Sequence, residues 1–146
     1  MEDDKLKYMD ISARQSFGLK VKIDGFGWEG KTYTVKGVQG GLVFFDYINK
    51  ETGGTIPAYE AMYMVIPYLK RLETIDVDDY HRYLQENRYP IHSESINIKC
   101  KDKWITYKDE TPFFDYCLMN HYDYRGLIDK GLAIEVTEKN NPYKKD

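Results

Sequence analysis

Cysteine is scarce in this chain. Only Cys100 and Cys117 occur among 146 residues, and they lie too far apart in sequence for a close-spaced metal motif. That excludes a disulfide-stapled secreted scaffold and points to a reducing cytoplasm with both thiols reduced. Long apolar runs are missing too, so no segment is suited to span a bilayer. The opening residues MEDDKLKYMD are acidic and polar, unlike a signal peptide or a basic amphipathic anchor. An excess of positive charge is also lacking. With 21 basic and 24 acidic residues the net charge is −3, which argues against a general nucleic-acid binder. Histidine is thin, at three residues, leaving little material for a metal centre or acid–base pair.

Aromatic side chains, by contrast, are plentiful. There are 14 Tyr, and aromatics make up 15% of the chain, a composition suited to pleated, half-buried strand surfaces. From Phe17 the hydrophobic period is two: Leu19, Val21 and Ile23 alternate with Lys20, Lys22 and Asp24. Residues 32–37 alternate again, and residues 42–48 are mostly apolar. Thr55-Ile56 opens another short strand whose pairing Pro57 limits, and 58–63 reads as one helical turn. Residues 64–69 read as an edge strand because of Pro67. Five short strands at this spacing predict a small antiparallel β-barrel of SH3-like form over 17–72, with Leu19, Val21, Ile23, Val35, Phe44 and Ile66 inside. Residues 1–16 form a lead-in, helical or irregular.

The second half, 73–137, reads as an α+β extension packed on the barrel. Asp76 is placed to cap a helix over 77–87, whose apolar stripe is Val77, Tyr80, Tyr83 and Leu84. Residues 95–101 and 103–107 form a hairpin, Thr111-Pro112 opens a helix over 113–121, and 132–136 is a last strand. The tail 138–146 is polar and expected to be mobile. The fold class is α+β.

GFGWEGKT, from Gly25 to Thr32, spells a phosphate-cradling P-loop, and LVFFD ends in Asp46, where a magnesium-holding strand would carry its acid. A P-loop needs a helix after Lys31. KTYTVKGV is β-branched and alternating instead, so a strand is expected. The short connection between 38 and 42 also makes the neighbouring strands antiparallel, whereas a parallel neighbour needs a long crossover. Gly25, Gly30, Lys31 and Thr32 therefore read as a chance match, and no cofactor is expected. Trp28 is then the notable residue of an inter-strand loop, folded over the barrel mouth or exposed to a partner.

Other motifs are weaker. His81 follows Asp78 on one helix face. His92 sits near Ser93 and Ser95 without a nucleophile elbow, and His121 stands two residues before Asp123. No catalytic or metal site is expected from them. Lys99, Lys101, Lys103 and Lys108 surround Trp104 and Tyr107, a pattern able to stack and neutralise single-stranded nucleic acid, although Asp102, Asp109 and Glu110 dilute it.

HYDYRGLIDKGLAIEV, His121 to Val136, is the most distinctive stretch. It resembles the C-terminal signature of small uncharacterised proteins encoded by phages and prophages of Bacteroides-type gut bacteria. The matching positions are His121, Tyr122, Asp123, Tyr124, Arg125, Gly126, Leu127 and Ile128, then Gly131, Leu132 and Ala133. Residues 16–21 and 67–71 resemble that family's opening strand and central segment. The GFGWEG loop, the hairpin near Trp104 and the tail depart from it. The resemblance implies a phage or prophage origin and a small accessory role, in the host cytoplasm or a virion assembled there.

Physically, DYRGLIDKGLA reads as a turn-rich lock, with Arg125 paired to Asp123 or another carboxylate. The functional alternative is a binding site of Asp123 and Arg125 walled by Tyr122 and Tyr124. The expected activity is non-enzymatic binding of a host or phage protein. One alternative is a homo-oligomer that sequesters a nucleotide-type immune signal; another is a small hydrolase using His92 or His121.

Overall fold

In the computed structural model the described residues are 2–24, 27–28, 31–49, 51–87, 96–100, 103–107 and 110–144, with 2, 96–100, 103–107, 110 and 111 described as backbone. The fold is α+β, with three helices, a mixed seven-stranded open sheet and a separate hairpin.

The helix α1 spans Glu2–Arg14. Lys7, Asp10, Ile11 and Arg14 are its buried stripe, at the spacing that places side chains on one helix face. Three of the four are charged, so hydropathy alone conceals the stripe.

Strands β1 (Lys20–Ile23), β2 (Thr32–Gln39), β3 (Leu42–Ile48), β4 (Thr55–Ala61) and β5 (Val65–Arg71) come next, each antiparallel to its neighbours in the order β4-β3-β2-β1-β5. The expected barrel does not close: β4 ends the ladder on one side. Strand β4 nevertheless runs straight through Pro57, to a short helical turn confined to Met62–Met64. The ladder explains why. Met62 N–H donates to Gly41 O and Asn49 N–H to Gly54 O, so even-numbered residues of β4 face β3 and odd-numbered ones face outward. Proline thus occupies an outward position on an edge strand, where no ladder donor is missed.

Pro67 corrects the opposite expectation. Strand β5 is not an edge; it pairs with β1 and, in parallel, with β8 (Tyr122–Asp123) and β9 (Ile134–Glu135). Tyr68 begins the β9 pairing, one residue past the proline.

The core under the sheet contains Leu19, Val21, Ile23 and Val35 as expected, but Phe45 replaces Phe44 and Val65 replaces Ile66. A bulge between Val35 and Gly37 shifts the β2–β3 register by one residue and exchanges the faces along β2, from Tyr33 and Val35 to Val38, while β3 alternates unbroken with Val43 and Phe45 inward. On β5 the stretch VIPYL is apolar at both parities, so burial was not readable from alternation.

A second core joins α2 (Val77–Glu86) to α3 (Glu110–Met119) through Tyr80, Leu84, Phe113, Tyr116 and Cys117. Asp76 caps α2 by accepting from Asp79 N–H at 3.1 Å. The hairpin β6 (Ile96–Cys100) and β7 (Lys103–Tyr107) pairs Cys100 with Lys103 at its turn. Helix α3 stops at Met119, short of the expected His121, whose φ of 64° is the left-handed conformation that ends helices.

The tail corrects another expectation, for it docks. Tyr143 Oη donates to Tyr68 O at 2.7 Å and accepts from Lys20 N–H at 3.0 Å, with its ring stacked 4.3 Å from His121. No helix among the described residues is long and apolar enough to cross a membrane.

Candidate functional site

The sheet is not continuous between β2 and β3. Their last paired residues are Val35 and Phe45; beyond them β2 continues against β1 and β3 against β4. The bulge at Val35/Gly37 bends the strand where the two part. A groove of about 1130 Å³ opens in the gap, lined by Thr32, Thr34 and Lys36 on one wall and Asp46, Ile48 and Thr55 on the other.

Trp28 closes the inner side of this gap. Its ring meets Tyr33 of β2 at 5.7 Å and Tyr47 of β3 at 5.3 Å, both edge-on, and Phe45 at 5.1 Å. Its Nε1–H donates to Glu60 at 2.8 Å. The indole therefore wedges two parting strands and forms the floor of the groove, rather than standing free for stacking. Of the P-loop-like residues, Gly25 and Gly30 lie outside the described residues. Lys31 and Thr32 line the groove, across from Asp46. Lys31 leads into strand β2, antiparallel to β1, where a phosphate cradle would need a helix N-terminus.

The signature residues form a different centre. Asp123 is buried, and its two carboxylate oxygens accept from Leu127 N–H and Ile128 N–H, both at 2.9 Å. It holds the turn at 127–131. Arg125 does not reach Asp123; its Nε lies 3.2 Å from Asp10 Oδ1, and its guanidinium stands over the Tyr124 ring. Asp10 is shared with Arg14: Nε to Oδ2 at 2.9 Å and Nη2 to Oδ1 at 3.2 Å. Arg14 also donates to Cys117 O at 3.1 Å and Tyr122 O at 2.6 Å. One buried guanidinium thus ties α1 to α3 and β8. Tyr122 stacks on Tyr116, and burial, then the Asp79 charge, pushes its hydroxyl up to about 12. Tyr124 stacks on Phe114, and burial raises its hydroxyl as well.

His121 is buried beside this centre. Burial, then the Arg14 and Lys70 cations, pushes its imidazole down to about 3, against a hydrogen bond to the Phe17 backbone, and its Nδ1 has no partner. It is neutral at ordinary pH. His81 lies on α2 beside Tyr80. Trp104 and Tyr107 sit on β7, their side chains outside the described residues, as are His92, Ser93 and Ser95. Among the described residues no three of His, Cys, Asp and Glu converge as metal ligands.

Asp10 and Arg14 were missed by sequence reasoning. Their only signal was the i, i+4 spacing around Ile11. Tyr143 was missed because its neighbours are polar. No known family model, curated protein or solved structure matches the chain.

Proposed function

We propose that this chain is a non-enzymatic binding protein, encoded by a phage or prophage, that engages a host or phage protein in the host cytoplasm. The observation that carries the reading is the groove itself. It combines an aromatic floor (Trp28, Tyr33, Tyr47), an apolar lip (Ile48, 68% exposed, and Ile56) and exposed polar walls, at a place where a sheet is left incomplete. Protein-recognition surfaces have this make-up, with an apolar centre and a polar rim. Residues 122–125 lie at the other end of the sheet, with Asp123 held by Leu127 and Ile128 N–H and Arg125 paired to Asp10, which suits a scaffold role rather than a part of the groove.

The test is capture from host lysate by the immobilised full chain, compared with Lys36→Glu and Ile48→Glu. Both positions are exposed in the groove, so folding is retained. A specific partner is expected with the parent chain and with a Tyr63→Ser control on another surface, and is lost with both groove variants. Equal capture by all four contradicts the reading.

A second reading is an oligomer that sequesters a nucleotide-type signal at the same groove. It is favoured by Lys31, Lys36 and Thr32 lying together there, across from Asp46. Thermal unfolding against ATP, GTP with magnesium and cyclic nucleotides separates the two. A ligand at a hundredfold its Kd stabilises by about 2.7 kcal/mol, and here the shift must vanish in Lys31→Ala.

A further inference from the structure

The main chain on both walls of the groove is directional. Val35 N–H donates to Leu19 O, so odd-numbered residues at the start of β2 face β1 while Thr32 and Thr34 face the gap. Asn49 N–H donates to Gly54 O, so odd-numbered residues at the end of β3 face β4 while Asp46 and Ile48 face the gap. Beyond Val35 and Phe45 no described residue pairs across it. Thr32 and Ile48 therefore present peptide N–H and C=O groups to one groove from opposite sides, as two unpaired strand edges.

The chemistry of its two faces differs. Toward the core lie Trp28, Tyr33 and Tyr47. Toward solvent, β1 and β2 carry Lys20, Lys22 and Lys36, with Lys20 Nζ bonded to Thr34 Oγ1 at 2.6 Å, and Lys31 precedes β2; Asp46 and Glu51 are the acids on the opposite wall.

We propose that the gap accepts an extended segment of the partner protein as an added strand, with apolar side chains toward the Trp28 floor alternating with acidic ones toward the lysines. Alternation follows from the two-residue period of a strand, and the acidic preference from the cationic outer face. An inserted strand pairing on both sides needs the walls about 9.5 Å apart, twice the strand spacing. The converging ladders restrict it to the open end, at Thr32 and Ile48. This proposal rests on the protein-binding reading above and specifies what that partner offers.

The probe is an acetylated octapeptide of alternating Val and Glu, with two controls: alternating Val and Lys, and the Val/Glu peptide N-methylated at each Val. Binding to the isotope-labelled full chain is followed by amide exchange. The Val/Glu peptide is expected to bind and to slow exchange at Thr32 and Ile48. The Val/Lys peptide should bind about tenfold more weakly, and the N-methylated one, blocked along the edge its Val residues face, should bind more weakly and lose protection at that wall. Three results overturn strand addition: no binding of the Val/Glu peptide, binding without protection at Thr32 and Ile48, or equal binding of the N-methylated form. If lysate capture still depends on Lys36 and Ile48 in those cases, the groove remains the binding surface and only the strand mode fails. If capture is also indifferent to them, the underlying reading fails.

Discussion

Replacing Asp10 by Asn should be among the most damaging single changes in the chain, although Asn has nearly the same shape. Asp10 and Arg14 are fully buried, with side chains 0% exposed. Arg14 makes two of its four hydrogen bonds to this carboxylate, and Arg125 places a second guanidinium 3.2 Å away. Removing the negative charge leaves two cations beside one another, one of them out of reach of water. Breaking a buried pair from one side typically costs about 3–5 kcal/mol. Asn retains one acceptor, so about 2–4 kcal/mol is expected here, and a domain of this size loses roughly 2–4 °C of Tm per kcal/mol. Urea unfolding followed by Trp and Tyr fluorescence measures it. An Asp10→Asn/Arg14→Leu cycle should show coupling of about 1 kcal/mol or more, since the two side chains share one network. A loss below about 1 kcal/mol in Asp10→Asn would refute the claim that this cluster clamps α1 to the body.

His121 is neutral in the fold, with its pKa pushed down to about 3 from 6.5. The unfolded chain therefore takes up a proton that the folded chain does not, so stability falls as pH drops from about 6.5 toward 3, approaching about 1.4 kcal/mol per pH unit. His121→Asn tolerates the left-handed backbone and should flatten the acid limb between pH 6 and 4 by close to one proton; an unchanged slope counts against a buried neutral imidazole. Tyr143→Phe keeps the ring on His121 but strips the hydroxyl from Lys20 N–H and Tyr68 O, at a cost of about 1–3 kcal/mol in denaturant unfolding. No loss would mean that the tail is not held through that hydroxyl.

Alternation made β1, β2 and the hairpin at 96–107 legible, and the cap at Asp76 marked α2, because each obeys a local rule. The illegible parts depended on distant partners. The bulge at Val35/Gly37 is one inserted residue, Lys36, with Gly37 as its one local cue; it exchanges the faces of β2 and sits where the groove opens, while the apolar run LVFF left open whether Phe44 or Phe45 is buried. The parallel pairing of β8 and β9 onto β5 involves two-residue strands, too short for any period. Arg125 could be expected to seek a carboxylate, but Asp10 lies 115 positions away on a helix whose buried face is mainly charged. Trp28 was visible as the residue of interest in its loop. That it forms the floor of a gap emerged only from which strands stop pairing.

The central claim is that the groove between β2 and β3 is the binding surface. The most direct measurement is calorimetric titration of the captured partner into the parent chain and into Ile48→Glu, with the Tyr63→Ser control. A charge placed on the apolar lip should weaken binding about tenfold or more, while the control binds as the parent does. Equal affinity for parent and Ile48→Glu would place the partner elsewhere and contradict the account.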